Sequence, residues 1–198
     1  MVSMRQLLFI HGGSVFDNRD ELLDQLRTWE LEDPFQLHEE RGKWKNKLPE
    51  ALGERWRCAF PQMPNKFDAK YAEWAVWFER HLPFVEDGIV LIGHSLGATF
   101  LCKWLSENQF PKSIAQLHLV APGWSEGEFM LPNSLEAAQK QCNEVHIWHS
   151  HDDPVCAFEK HALRYAVALP SAITHWMNGR GHFRGEEFSE IVEVIKSA

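Results

Sequence analysis

The feature that most constrains this 198-residue chain is a Gly-x-Ser-x-Gly segment that directly follows a short apolar run. The apolar run covers residues 89–92, the motif covers residues 93–97, and the residues after it have the apolar spacing of a helix. A strand, a very tight turn and a helix in this order hold the central residue, Ser95, in a strained conformation that requires glycines beside it. The motif therefore predicts that Ser95 projects as a nucleophile from the carboxyl edge of a sheet.

The rest of the chain alternates short β-rich runs with segments of helical period, which is typical of a parallel sheet covered by helices on both faces. The predicted strands are residues 7–10, 57–60, 89–92, 116–120, 145–148 and 172–175. Helices are predicted at residues 20–29, 69–82 and 186–197, with a short one beginning at Ser134 and another within residues 30–54. Asp17 is the expected N-cap of the first helix. The expected organisation is one domain over residues 1–198.

Each of the first two predicted helices has an apolar face that should pack on the sheet. In the helix at residues 20–29 this face consists of Leu22, Leu23, Leu26 and Trp29. In the helix at residues 69–82 it consists of Ala72, Trp74, Trp77, Phe78 and Leu82.

A serine hydroxyl becomes a good nucleophile when a base takes its proton and a carboxylate orients that base. His182 lies in a glycine-containing loop after the sixth predicted strand, and Asp153 follows the fifth. Asp152 competes with Asp153 for the orienting role. We favour Asp153 because Pro154 after it begins a turn that fixes its position at the strand end. For Asp152 the alternative is a turn residue or a helper hydrogen bond to the loop.

The turn after the first predicted strand offers a backbone donor for an oxyanion hole. Gly13 is the first choice for that N–H group and Ser14 is the second. The other donor is expected to be the N–H of Leu96, the residue after the nucleophile, at the start of a helix. His11 and His94 are expected to have structural roles.

Two further groups of residues are candidates for a binding site. His149, His151 and Asp152 could suggest a metal site, but strand alternation separates them and no partner cluster is present, so neither a metal nor a cofactor is expected. A second group follows the fourth strand, where loops at the carboxyl ends of strands form pockets, and is predicted to bind substrate. Its members are Trp124, Phe129 and Met130. Plain hydrophobic cover for the sheet edge is the alternative for them.

Several motifs taken together resemble the α/β-hydrolase superfamily, and within it the compact retinoblastoma-binding serine hydrolase family with its related bacterial esterases. The motifs typical of the superfamily are His11-Gly12-Gly13, Gly93-His94-Ser95-Leu96-Gly97, Asp152-Asp153-Pro154 and Gly181-His182-Phe183. Those that narrow the resemblance to the compact family include Met63-Pro64 and Ile92-Gly93-His94-Ser95, whereas the His11-Gly12-Gly13 turn departs from that family's Gly-rich loop. The resemblance implies a single-domain fold of about six mostly parallel strands, in the order 2-1-3-4-5-6, without a large lid. It also implies a triad of Ser95, Asp153 and His182.

The composition of the chain limits the kinds of partner that the protein is expected to bind. The chain has 28 acidic and 20 basic residues and no long basic run, so nucleic acid is not an expected partner. No apolar run approaches the roughly 20 residues that span a bilayer, and no export signal opens the chain, so no membrane partner is expected. The four scattered cysteines indicate reduced thiols and a cytoplasmic location. A monomer or small homo-oligomer that acts on a small acyl substrate is expected.

The first functional hypothesis is hydrolysis of carboxylic esters with small or medium acyl groups. An amidase or peptidase, a thioesterase or an acyltransferase would use the same triad, because specificity resides in the pocket. A catalytically silent protein-interaction module on the same scaffold is the alternative from a different class. An intact triad argues against that module.

Overall fold

The computed structural model describes residues 4–29, 43–124 and 127–198, and at its centre is a six-stranded sheet. The strands are Arg5–Ile10 (β1), Trp56–Ala59 (β2), Ile89–His94 (β3), Ile114–Val120 (β4), Cys142–Ser150 (β5) and Ile173–Met177 (β6). Their order is β2-β1-β3-β4-β5-β6, and every neighbouring pair is parallel. The predicted strand order and the parallel α/β fold are confirmed.

Helices cover both faces of this sheet. In the described ranges they are Arg19–Thr28 (α1), Trp44–Leu52 (α2), Tyr71–Glu79 (α3), Leu96–Glu107 (α4), Glu136–Gln139 (α5), Phe158–Ala168 (α6) and Ser189–Lys196 (α7). Side chains of β1 alternate between two hydrophobic clusters, with Leu8 and Ile10 in one and Leu7 and Phe9 in the other. The first cluster includes buried residues of α3 to α6, and the second includes those of α2 and α7. The core is therefore divided by the sheet into two layers.

The connection between β4 and β5 is short. Outside residues 125 and 126, it forms one 3₁₀ turn, Gly127–Phe129, and the single turn of α5. The fold in this region agrees with the prediction that the sheet has no large lid. None of the described helices is both long and apolar enough to cross a bilayer.

Several helix ends differ from the prediction. The N-cap of α1 is Asn18 rather than Asp17, because the helix begins at Arg19 and Asn18 Oδ1 accepts the Glu21 N–H at 3.0 Å. Ser134 lies two residues before α5, and its Oγ accepts the Glu136 N–H at 3.3 Å. The sequence shows which residues can cap a helix, but the residue that does so depends on where the helix begins.

The other differences concern helix length and burial. The last helix begins at Ser189 rather than at residue 186, because the preceding residues form the loop in which the Gly185 carbonyl accepts the Trp44 N–H at 3.1 Å. Of the predicted apolar face of α1, only Leu22 is buried, and Leu26 is 48% exposed.

The predicted face of the second helix is also only partly buried. Trp74 and Phe78 of α3 enter the core, whereas Ala72 and Trp77 are exposed. Of residues 30–54, α2 occupies Trp44–Leu52, while residues 30–42 lie outside the described part of the chain.

Candidate active site

Ser95 occupies the sharp turn between β3 and α4. Its backbone has a φ of 54° and a ψ of −123°, a conformation that side-chain-bearing residues rarely adopt. A Cβ added at Gly93 would lie 2.5 Å from Ala98 Cα, and one added at Gly97 would lie 2.2 Å from the Ile10 carbonyl oxygen. Both glycines of the motif are therefore required by close backbone approaches, as the strand, turn and helix pattern indicated.

His182 and Asp153 are brought together although they are far apart in the chain. His182 Nδ1 lies 2.8 Å from Asp153 Oδ2, and the backbone N–H groups of Val155 and Cys156 donate to Asp153 Oδ1 at 2.8 and 2.9 Å. Burial acts to raise the pKa of the Asp153 carboxyl, but these hydrogen bonds outweigh it and lower that pKa. Asp153 is therefore ionised and accepts from His182 Nδ1–H, which leaves Nε2 of the imidazole able to accept a proton.

Asp152 has a different position, beside the loop that carries His182. Its Oδ1 accepts the Gly179 N–H at 2.9 Å, the Gly181 N–H at 3.4 Å and the Ser150 hydroxyl. The structure thus brings Asp153, and not Asp152, to the imidazole. Asp152 holds the backbone of the loop, which is the helper role considered for it from sequence.

His94 connects the turn of Ser95 to the loop of His182. Its Nε2 lies 2.9 Å from the His182 carbonyl oxygen, and the two rings are 5.0 Å apart. Burial lowers the pKa of His94 to about 3, so the ring is neutral and Nε2–H is the donor. In this structure the Ser95 hydroxyl and the His182 ring are not hydrogen-bonded to each other, as is common before substrate binds.

His11 secures the loop after β1. Its Nε2 accepts the Met63 N–H at 2.8 Å, so its Nδ1 carries the proton and donates to the Gly12 carbonyl at 2.6 Å. The ring therefore joins β1 to the segment after β2. It makes the structural hydrogen bonds that were expected of it.

The two candidate oxyanion donors from this loop are not equivalent. Ser14 N–H donates to the Lys66 carbonyl at 2.8 Å, so this donor already has an acceptor within the protein. Gly13 N–H makes no hydrogen bond within the described residues, and a Cβ built on Gly13 would lie 3.3 Å from Leu96 Cδ2. Leu96 is the first residue of α4, where backbone N–H groups have no partner within the helix. Gly13 therefore packs beside the Leu96 side chain, and the N–H groups of both residues have no hydrogen-bond partner among the described residues.

Ser95 and His182 line one cavity of about 470 Å³. Its other lining residues come from the loop after β1, from α2 and the residue before it, from the segment after β2, and from the loop around His182. They include Phe9, His11, Gly12, Gly13, Ser14, Trp29, Lys43, Trp44, Lys45, Gln62, Lys66, Phe67, His94, Val155, Phe183 and Arg184. The cavity is thus built mainly on the β1 and β2 side of Ser95.

The three residues predicted to bind substrate do not line this cavity. Phe129 is fully buried in the core, Met130 is 61% exposed, and Trp124 packs edge-on against Tyr165 at 5.2 Å. The alternative considered for them, hydrophobic cover of the sheet edge, fits these positions better. An apolar residue after a strand has the same sequence character whether it fills the core or lines a pocket, so the pattern could not separate the two.

Comparison with known proteins is decisive for the family. A family model described as serine hydrolase matches residues 37–194, which is most of the chain. The chain belongs to the serine hydrolase family. Serine hydrolase RBBP9 of Rattus norvegicus is 26% identical over 151 residues, which cover 72% of this chain and 77% of the rat protein. The resemblance inferred from the motifs is confirmed.

Solved structures share the fold of this serine hydrolase. The ydeN gene product of B. subtilis superposes with a TM-score of 0.76 at 16% identity, covering 98% of both chains. Est1E from Butyrivibrio proteoclasticus superposes with a TM-score of 0.59 at 15% identity, covering 98% of this chain and 86% of its own. Carboxylesterase CesB from Bacillus subtilis superposes with a TM-score of 0.62 at 11% identity, covering 100% of this chain and 84% of its own. All three support the α/β-hydrolase fold.

The histidines next to Asp153 are not arranged as metal ligands. His149 is buried and its Nε2 donates to the Cys156 carbonyl at 2.7 Å, whereas His151 is exposed and packs on the Phe158 ring at 4.0 Å. No group of three or more His, Cys, Asp or Glu side chains with metal-binding geometry occurs in the part of the chain that the structure describes. His149 is the last but one residue of β5, and His151 lies just beyond the end of that strand.

The neutral state of His94 makes the stability of this serine hydrolase sensitive to acid. Its pKa of about 3 in the fold lies below the ordinary value of about 6.5 for an unfolded chain. Between these values the unfolded chain binds the additional proton, so the stabilisation is complete above about pH 6.5 and is lost as the pH falls. We expect His94 alone to lower the free energy of unfolding by about 1.4 kcal/mol per pH unit from about pH 6 to 4.

Urea unfolding at a series of pH values measures this slope. His94→Gln is the matched variant, because its amide can still donate to the His182 carbonyl but does not titrate. The variant should show a shallower slope than the wild type. Equal slopes for the two proteins would contradict the assignment of a neutral His94.

Proposed function

We propose that this serine hydrolase cleaves carboxylic esters with small or medium acyl groups, with Ser95, His182 and Asp153 as its catalytic triad. The observation that carries the proposal is the 2.8 Å contact between His182 Nδ1 and Asp153 Oδ2 at the wall of the cavity that holds Ser95. Because Nδ1 donates to Asp153, His182 Nε2 can accept a proton as the base. No metal or cofactor takes part in the proposed reaction.

The proposed reaction has two halves. Ser95 Oγ attacks the ester carbonyl while His182 Nε2 takes the hydroxyl proton, and the proton then passes to the departing alcohol. A water molecule next loses a proton to the same nitrogen and attacks the acyl group on Ser95. The acid is released and the proton returns to Ser95. Asp153 stays ionised and stabilises the imidazolium that forms in each half.

The negative oxygen of the tetrahedral intermediate would be bound by the N–H groups of Gly13 and Leu96. Support comes from the packing of Gly13 beside the Leu96 side chain and from the hydrogen bond that Ser14 N–H already donates to the Lys66 carbonyl at 2.8 Å. Donors fixed by the backbone need no rearrangement when charge develops on the oxygen. Gly13 therefore remains the first choice, and Ser14 is the weaker one.

A panel of chromogenic substrates tests the substrate class. We expect the highest kcat/KM for acetyl to hexanoyl esters, because the cavity of about 470 Å³ suits a small or medium substrate. Anilides of the same acyl groups should react at least about 100-fold more slowly, since the amine is the poorer leaving group and its release demands more precise placement of the acid. Ser95→Ala is the control for turnover by other groups. Anilides that react as fast as the esters would favour an amidase instead.

A further inference from the structure

Four positively charged side chains line the described part of the cavity that contains Ser95, in a chain whose net charge is −8. Its charged lining residues, among those the structure describes, are Lys43, Lys45, Lys66 and Arg184, and no aspartate or glutamate lines it. Among the described residues, the charged side chains that line the cavity are thus all cationic. Clefts lined by charges of one sign attract ligands of the opposite sign.

Lys66 is held close to the proposed oxyanion donors. Its backbone carbonyl accepts the Ser14 N–H at 2.8 Å, and the Ser14 carbonyl accepts the Ala69 N–H at 2.8 Å, so two hydrogen bonds fix this segment against the loop after β1. Burial lowers the pKa of His11 nearby, and the positive charge of Lys66 adds to that lowering. The Lys66 side chain is exposed, and its ammonium lies 5.1 Å from the centre of the Phe67 ring, which lines the same cavity.

Arg184 lies two residues after His182, in the loop that carries the imidazole, and lines the same cavity. Burial lowers the pKa of His94, and the charge of Arg184 contributes to the same effect. Arg184 is exposed, so its guanidinium is accessible to a carboxylate that enters the cavity. Lys66 and Arg184 thus place positive charge on two of the loops that enclose Ser95.

Aromatic side chains form the walls between these charges. Trp44 is 5% exposed, and its indole N–H donates to the Phe183 carbonyl at 2.8 Å, which fixes the ring beside the loop of His182. Phe67 is 55% exposed and meets Trp29 edge-on at 5.4 Å. A ligand with an apolar body and a negative end would complement both kinds of lining residue.

We propose that the preferred substrates are anionic esters, in which a carboxylate several bonds from the scissile carbonyl is bound by Lys66 and Arg184. The inference rests on the proposed esterase function and adds the charge of the substrate to it. The apolar part of the ester lies against the aromatic walls. Water attacks the acyl group as in any ester hydrolysis, and the distant carboxylate takes no part in bond making or breaking.

Two matched pairs of esters test the proposal. In one pair the carboxylate is on the acyl side, with 4-methylumbelliferyl hydrogen adipate compared with 4-methylumbelliferyl hexanoate. In the other it is on the alcohol side, with 4-carboxyphenyl hexanoate compared with its neutral methyl ester, assayed by release of the phenol. We expect kcat/KM to favour the anionic member of at least one pair by about tenfold at low salt. The preference should fall in 0.5 M salt, because exposed charges are screened.

Substitutions locate the source of that preference. Lys66→Gln and Arg184→Gln should each lower the ratio of the anionic to the neutral kcat/KM by about threefold or more. Lys160→Gln is the matched control, since Lys160 is exposed on α6 and outside the cavity, and its ratio should equal that of the wild type. A ratio near or below one in both pairs would overturn the inference. A preference that neither cavity variant reduces would do the same.

Ligand binding separates the charge proposal from the proposed chemistry. We expect Ser95→Ala to bind 4-phenylbutyrate at least about fivefold more tightly than 4-phenylbutyramide in calorimetry, and Lys66→Gln in the same background to reduce that difference. Equal affinities would overturn the anion site even where esters are hydrolysed. Preferential binding of the anion by a protein that hydrolyses no ester would instead support the anion site and contradict the esterase function.

Discussion

Asp153→Asn should lower kcat for ester hydrolysis by about 10⁴, whereas Asp152→Asn should lower it by less than about 100-fold. Asp153 Oδ2 is the atom at 2.8 Å from His182 Nδ1, and an asparagine there cannot hold the imidazole in the required tautomer. Among the described residues, Asp152 is hydrogen-bonded to the loop backbone at Gly179 and Gly181 and to the Ser150 hydroxyl, so its loss should loosen the loop without removing the partner of the imidazole. Steady-state kinetics on a butyrate ester measures both effects.

The loss of kcat in His182→Ala is the reference with which the losses at Asp152 and Asp153 are compared. Removing the base should lower kcat on the order of 10⁶-fold, as in other enzymes with this triad. Circular dichroism and the urea midpoint of each variant check that the fold is retained. Equal losses at Asp152 and Asp153 would contradict the assignment of the orienting carboxylate. A loss at His182 of less than tenfold would contradict its role as the base.

Gly97→Ala should destabilise the protein by about 3 kcal/mol or more and lower its activity as well. A Cβ at this position would lie 2.2 Å from the Ile10 carbonyl oxygen and 2.6 Å from that of His11, which are backbone atoms of β1 and the residue after it. Neither can rotate away as a side chain would. Relief of the clash must separate α4 from β1, which moves Ser95 away from its neighbours.

The matched control is Gly185→Ala. A Cβ built on Gly185 has no atom within 4 Å, so the unfolding free energy should change by no more than about 0.5 kcal/mol. The urea midpoint and slope of both variants, with the rate of butyrate hydrolysis, make the comparison. Similar small changes in the two variants would show that the close approach at Gly97 is not required for the fold.

The parts of the site that could be predicted from sequence depend on short-range patterns. The turn at Ser95 is encoded in five consecutive residues and the two apolar segments around them. Asp153 and His182 each follow a recognisable strand, and parallel strands bring such residues to one edge of a sheet. The alternation of strands and helices likewise predicted the helices on both faces of the sheet, whereas the strand order came from the family resemblance.

The parts that could not be predicted depend on how distant segments meet. The cavity is lined by Lys66, Trp44 and Arg184 because two loops and the first turn of α2 meet there. Their spacing in the sequence does not indicate that they meet. A lysine or tryptophan in a loop is also common on an ordinary surface. The hydrogen bond from Ser14 N–H to the Lys66 carbonyl, which makes Ser14 the weaker oxyanion donor, likewise forms only in the folded chain.

Labelling with a fluorophosphonate, followed by intact-mass measurement and peptide mapping, tests the nucleophile directly. The reagent forms a stable bond only with a serine activated by a base, as the 2.8 Å contact between His182 and Asp153 implies for Ser95. We expect one adduct per chain, located on the peptide that contains Ser95 and absent in Ser95→Ala. Failure of the wild-type protein to react, or an adduct on another serine such as Ser14, would contradict the assignment of Ser95 as the nucleophile.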